Sequence, residues 1–352
     1  MTDLLSASDA RDLWAPVPGY LAACTLGLPT IAAVEAHRQD LDAWSAGRSG
    51  PSGYGDVVES GRDAYARLVG VPASHVAIAS QTSVAVAVVA AAVPDGAEVV
   101  LPLGDFSSVV YPFLVQAARR DVRVVQVPLH ELADAVGPDT WLVAWSAVQS
   151  ATGEVADHDA LAAAAARHDA LTLCDTTQAA GVLPVDASRW DVTVCHAYKW
   201  LCCPRGVAFL TVGDRARRLL DPVQAGWYAG ADVWSSCYGP DMRLADDARA
   251  LDVSPAWQAW VGALPALRTF AALDVDDAWR HASGLADSLA AALDLPPAHR
   301  AVLTWPDPSG DDLAAMARAG LVASGRAGRA RVAFHLWNDH DDVDRVVRAL
   351  GR

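Results

Sequence analysis

From residue 76 onward the chain alternates short β-rich runs with helical stretches, and this alternation restricts its fold more than any other feature. The runs are "HVAIAS", "AEVVLP", "VRVVQVP", "TWLVAWS", "LTLCD", "DVTVCHA" and "GVAFLTV". Ala-rich or amphipathic segments separate them, among them "DHDALAAAAARHDA", with Asp157 as its N-cap. Seven strands interleaved with helices predict an α/β fold: a mostly parallel, doubly wound sheet with helices on both faces.

The pattern lapses between about 220 and 255, where "DPVQAGWYAGADVWSSCYGPDMRLADDARALDVSP" reads as a long functional loop and domain exit. Beyond it, "AWQAWVGALPALRTFAALDVDDAWRHASGLADSLAAAL" reads as helices interrupted by Pro265. A compact end follows: "AVLTWPD", a helix near 311–319, "RARVAFHLW" and the capped helix "NDHDDVDRVVRAL". With 352 residues the chain has room for about two domains. The division is an N-terminal segment over 1–20, a large domain over 21–240 and a small α/β domain over 241–352.

Composition narrows the function. A formal charge of -15 repels phosphate backbones and anionic lipid, so neither nucleic acid nor a membrane surface is the expected partner. The start "MTDLLSASDARDLW", with Asp3, Asp9, Arg11 and Asp12, lacks the basic head and apolar core of a secretory signal. The longest apolar run, Val84 to Val93, is about half a membrane span. A cytoplasmic protein is the expectation. Six cysteines without CxxC spacing read as reduced thiols rather than a zinc site, and no metal is expected.

Lys199 is the chain's only lysine; every other one of the 27 Lys and Arg residues is arginine. In an open parallel sheet, ligands sit at the carboxyl ends of the strands. Asp175 ends "LTLCD" and Lys199 follows "DVTVCHA", so both belong to that rim. They could simply form an ion pair. The alternative is a pyridoxal phosphate site, in which a lysine amine holds the cofactor aldehyde as a Schiff base and a carboxylate keeps the pyridine nitrogen protonated.

The segment "CDTTQAAGVLPVD...DVTVCHAYKWLCCPRGVAFL" resembles the class V aminotransferases, pyridoxal phosphate enzymes of fold type I that include cysteine desulfurases, selenocysteine lyases, kynureninases and isopenicillin N epimerase. The likeness runs from about residue 20 to the C-terminus. It follows the family order Asp-x-x-Gln-x-x-Gly, then lysine, then Gly-Pro-x-Gly, with Cys203 where the family has the glycine before proline. The resemblance implies roles for further residues. Gln178 matches the glutamine that bonds the cofactor's phenolic oxygen. In "ASQTSVAV", Gln81 and Thr82 open a helix and match the phosphate-holding turn, although an ordinary N-cap reads the same way. Phe106 resembles the ring that stacks on the cofactor in kynureninase. His196 and Tyr198 flank the lysine and can donate to phosphate.

In "RARVAFHLWNDHDDVD", Arg331 and Asn338 match the family's closing segment, and Arg331 is placed to hold a substrate α-carboxylate through its planar fork. Arg326 and Arg329 lie close enough to take that role instead. Ser150, in "VQSATG", stands where the family contacts cofactor or substrate. Desulfurases carry a nucleophilic cysteine shortly before the arginine, and residues 305–330 contain none. Cys24 and Cys237 are the remaining candidates to reach the site. "QAGWYAG" is similar to a kynureninase segment that reaches a neighbouring active site, which implies a symmetric homodimer with shared sites.

The resulting expectation is a lyase that expels a β-substituent from a small L-amino acid without a protein persulfide. Aminotransferase, epimerase or cyclase chemistry and a non-catalytic binding protein stay open beside it.

Overall fold

The computed structural model of the chain describes residues 4–239, 241–297 and 299–352. Asp3 therefore lies outside the described residues. All seven runs are strands: β1 (Val76–Ala79), β2 (Glu98–Pro102), β3 (Arg123–Val127), β4 (Thr140–Ser146), β5 (Leu171–Asp175), β6 (Val192–His196) and β7 (Ala208–Val212). They form one sheet in the order β1-β7-β6-β5-β4-β2-β3. Strands β2 to β6 pair in parallel, whereas β7 runs antiparallel to both β6 and β1.

These runs are continuous rather than alternating because both faces of the sheet are covered. Ile78, Cys195 and Phe209 pack on one side with Tyr65 and Trp260, from the helices Pro51–Leu68 and Trp257–Ala272. Their neighbours Ala77, Val194 and Leu210 face the other side, against Val86 and Val109 of the helices Thr82–Ala91 and Ser107–Ala117. Edge strand β1 is kept from further pairing by Asp252, which accepts the Ile78 N–H at 2.8 Å and is clamped by Arg62 at 2.7 Å.

The C-terminal part carries a second, antiparallel sheet of β8 (Val302–Pro306), β9 (Ser324–Arg326) and β10 (Arg329–Ala333), in the order β8-β10-β9. Chain start and chain end meet here. Ala22 bridges Ala333 in parallel, and the Ala333 N–H donates to Leu21 O at 2.8 Å.

The sequence expectation fails at Pro265. One helix, Trp257–Ala272, runs through the proline without a break. Its buried face of Trp260, Ala263, Ala266 and Leu267 packs on the helix Pro51–Leu68, and this packing outweighs the one backbone bond the proline removes. The real break comes at Leu273, where Asp274 caps the next helix, Val275–Ala292. Asp157 caps the helix His158–His168 as expected, its side chain accepting from Ala160 N.

Candidate active site

Parallel pairing of β5 with β6 aligns Asp175 with Val194, which brings the end of β5 and the segment after β6 to one rim. Lys199 lies in the turn that leaves β6, closed by Cys202 N to Lys199 O and Cys203 N to Ala197 O, each 3.0 Å. Cys202 takes the left-handed conformation, φ 55°, so the strained position is one residue before Cys203. The turn is wedged between two glycines. A Cβ on Gly27 would stand 2.0 Å from the Lys199 carbonyl oxygen, and one on Gly181 would stand 2.8 Å from Leu201 Cδ2.

Lys199 and Asp175 are both buried, at 4% and 3% exposure, yet they form no direct ion pair. That result removes the simple ion-pair reading. The Asp175 Oδ1 accepts from Thr177 N at 2.8 Å, and burial pushes its carboxyl up to about 6 against the pull of Thr177 and Lys199. Burial likewise lowers the Lys199 amine to about 8, with Asp175 and Cys24 opposing and Arg331 and Arg326 adding to the drop. The amine finds ring faces instead of an acid: its Nζ lies 5.3 Å from the Phe106 centroid and 5.7 Å from that of Tyr198.

Phe106 is 41% exposed and is held in place by Asp105. That carboxylate accepts from Phe106 N at 2.6 Å and from Ser146 N at 2.8 Å, tying the ring to the end of β4. His196 ends β6 and packs edge-on to Tyr198 at 4.3 Å between centroids. Burial, then Arg205 and Lys199, lower its imidazole to about 4, so it is neutral near pH 7. Its backbone N–H donates to Thr177 Oγ1, which lies 3.4 Å from Thr82 Oγ1. Its Nε2 is buried with no hydrogen-bond partner among the described residues. Thr82 opens the helix Thr82–Ala91; Gln81 is its exposed N-cap and makes no side-chain capping bond. Among the described residues, no side-chain bond joins Gln81 to the cluster.

Gln178, Ser150 and Arg331 form the second half of the site. Gln178 Nε2 donates to Ser150 Oγ at 3.1 Å and to Cys24 O at 2.9 Å. The Arg331 guanidinium is buried and bonds only neutral groups: Ser324 Oγ at 3.0 Å, Thr25 Oγ1 at 2.9 Å, and Ser150 through its carbonyl. No carboxylate among the described residues pairs with it. The two neighbouring arginines point elsewhere, Arg329 to Thr304 O at 3.0 Å and Arg326 to Gly325 O at 2.7 Å. Asn338 is removed from the site, bonding Tyr20 O and Asp342.

Cys24 is buried beside this cluster, its carbonyl on Gln178 and its field acting on both Lys199 and Arg331. Cys237 is exposed and bonds Val233 O. Thr25, Thr177, Asp105 and Trp200 were not singled out from sequence. Only Thr177 carried a local signal, since a residue two places after an Asp commonly donates to its side chain.

A buried amine without a partner, a buried guanidinium without an acid and an orphaned imidazole nitrogen surround one carboxylate at the rim of a doubly wound sheet. This donor set fits an anionic cofactor with a reactive carbonyl and a ring nitrogen. The family model for class-V aminotransferases matches residues 51–317, more than half of the chain, and the chain belongs to that family. The cofactor that goes with this family, and that the donor set fits, is pyridoxal phosphate. The chain is 26% identical to the uncharacterized aminotransferase YcbU of Bacillus subtilis over 53% of this chain and 53% of that protein. It is 29% identical to isopenicillin N epimerase of Streptomyces clavuligerus over 47% of this chain and 46% of the relative. The chain thus spans about half the length of these curated relatives. Its fold is similar to that of the cysteine desulfurase CsdA from Escherichia coli, with a TM-score of 0.85 at 19% identity, covering 99% of this chain and 98% of the other.

Proposed function

We propose that this chain is a lyase that expels a β-substituent from a small L-amino acid, with no protein persulfide. The observation that carries the amino-acid reading is Arg331, a buried guanidinium with only neutral acceptors, whose field reaches the Lys199 amine. An α-carboxylate supplies the missing charge and matches the planar fork.

When bound, pyridoxal phosphate supplies an electron sink for the bond broken at the substrate Cα. The chain's own residues do the rest. Asp175 would pair with the ring nitrogen, Gln178 would donate to the ring oxygen, and Phe106 would cover the ring. Thr82, His196 and Tyr198, with the N-terminus of the helix Thr82–Ala91, receive the phosphate. Lys199 holds the cofactor and moves the Cα proton, and an amine lowered to about 8 leaves a useful uncharged fraction near neutrality.

The lyase reading rests on the likeness of residues 174–210 to desulfurases and kynureninases. A persulfide route lacks its nucleophile: the two-residue turn Ala327–Gly328 joins β9 to β10, and no cysteine lies in 305–330. Phe106 also lies on an exposed apolar surface with Leu103, Tyr111 and Val115, and a second copy seated there would close the site into the shared arrangement of a homodimer.

The test is a panel of L-amino acids bearing a β-leaving group, offered to the protein loaded with pyridoxal phosphate. Repeated release of ammonia and a 2-oxo acid is expected. Stoichiometric conversion of the cofactor to its amine form, reversed by 2-oxo acids, would overturn the lyase in favour of an aminotransferase. Inversion at Cα alone would favour an epimerase.

A further inference from the structure

Trp200, directly after the lysine, donates its indole N–H to Gln178 Oε1 at 2.8 Å. An indole N–H can only donate and a carbonyl can only accept, so Trp200 and Cys24 O together fix the Gln178 amide. Its oxygen faces Trp200, and its two N–H groups face Cys24 O and the Ser150 hydroxyl, the second being the one a ring oxygen can share. Both of these groups are on the Arg331 side of the site.

Trp200 is itself held through both its ring and its carbonyl. Its ring stacks on His335 at 5.5 Å and 17°, and His335 stacks on Trp337 at 4.2 Å and 6°. The Leu336 N–H donates to His335 Nδ1 at 2.7 Å, which leaves the proton on Nε2, and Nε2 donates to Trp200 O at 2.9 Å. Burial keeps this imidazole neutral.

We propose that Trp200 is a positioning residue that, with the Cys24 carbonyl, sets which end of the Gln178 amide faces the cofactor, and that His335 and Trp337 hold Trp200 for that purpose. The inference rests on the reading that pyridoxal phosphate lies between Asp175 and Arg331. Without the indole, Gln178 Oε1 loses its partner and only the Cys24 carbonyl still favours the donor end. A donor on the cofactor's ring oxygen stabilises negative charge there and so disfavours the proton that this oxygen shares with the lysine nitrogen. Loss of the donor raises the pH at which that proton leaves.

The experiment is a pH titration of the visible absorption band of the protein loaded with pyridoxal phosphate, without substrate. Trp200→Phe should raise the midpoint by about one to two pH units, the worth of one hydrogen bond to a charged oxygen. The same change made in a Gln178→Ala background should produce no further shift. The charged groups around the lysine, Asp175, Arg326 and Arg331, and the titratable Cys24, Tyr198 and His196 are common to all variants and cancel in the comparison. An unchanged midpoint in Trp200→Phe overturns the proposal, as does a shift that persists without Gln178. If Trp200→Phe does not fold, Trp200→Met fills the space without a donor and leaves the charges around the lysine as they are. Its midpoint should rise as well, and an unchanged value overturns the proposal. Wild-type protein with no visible band overturns the cofactor placement itself, and this inference with it.

Discussion

Gly27 lies so close to Lys199 that a Cβ on it would overlap the lysine carbonyl oxygen, and the Gly27 N–H donates to Tyr198 O at 2.9 Å. The N-terminal segment thereby presses directly on the backbone that carries the only lysine.

Gly27→Ala should therefore act at a distance from any side chain chemistry. The backbone on one side must yield, at a cost of about 1–3 kcal/mol typical of overpacking. A lowered melting temperature with weakened retention of pyridoxal phosphate is expected. A variant that melts and retains cofactor like the parent would show that this contact relaxes freely.

Borohydride reduction of the loaded protein should fix the cofactor on one internal peptide, that of Lys199, and Lys199→Ala should abolish both this label and turnover. In the apoprotein, acylation of the amine requires its uncharged form, so labelling should rise with a midpoint near pH 8 rather than at the ordinary 10.5. The linkage has a definite sign. The unfolded lysine binds its proton more tightly than the folded one, so apoprotein stability should increase as pH is raised from about 8 toward 10.5. A labelling midpoint at the ordinary value contradicts the buried position.

Asp175→Asn should keep the fold and lose several orders of magnitude in rate, because the ring nitrogen loses its charged partner. In the wild type the pairing needs the carboxylate ionised. Burial raises its carboxyl to about 6, so cofactor affinity should decline as pH falls through that value. Equilibrium dialysis against pyridoxal phosphate between pH 5 and about 8 reads this directly; a flat profile counts against the role.

Arg331→Ala should weaken amino-acid binding by about thirtyfold to several thousandfold, from a loss of roughly 2–5 kcal/mol for a buried charge partner. The absorption of the loaded protein without substrate should not change. Arg331→Lys should recover part of the loss, since a point charge cannot make two parallel bonds. Alanine at Arg329 should leave binding within a few-fold, because its guanidinium bonds Thr304, and alanine at Arg326, whose charge reaches Lys199 and Arg331 without a bond to either, should cost less than Arg331→Ala. A large loss at either one with none at Arg331 would relocate the carboxylate contact.

The large sheet was legible because its strands are buried on both faces, which writes them as unbroken β-rich runs: Thr140–Ser146 and Leu171–Asp175 match their sequence runs end for end. Lys199 and Asp175 were legible because strand ends at the rim of a parallel sheet are where ligands sit. Pro265 misled because local propensity does not register the helix packed against it. Strand β9 was missed because Ser324–Gly325–Arg326 carries no β-rich pattern and exists only by pairing with β10. Thr25 and Trp200 escaped notice because their partners, Arg331 and Gln178, lie 306 and 22 residues away.

The segment from Tyr20 to Gly27 is bonded at one end to β10 through Leu21 and Ala22, in its middle to Arg331 and Gln178, and at its far end to Tyr198. It works mechanically as a stitch between the two sheets. A rigid-body swing of the small sheet, the motion by which a two-part enzyme opens and shuts, would have to pull these stitches out. Strain applied at Arg331 is thus delivered through these bonds to the lysine turn.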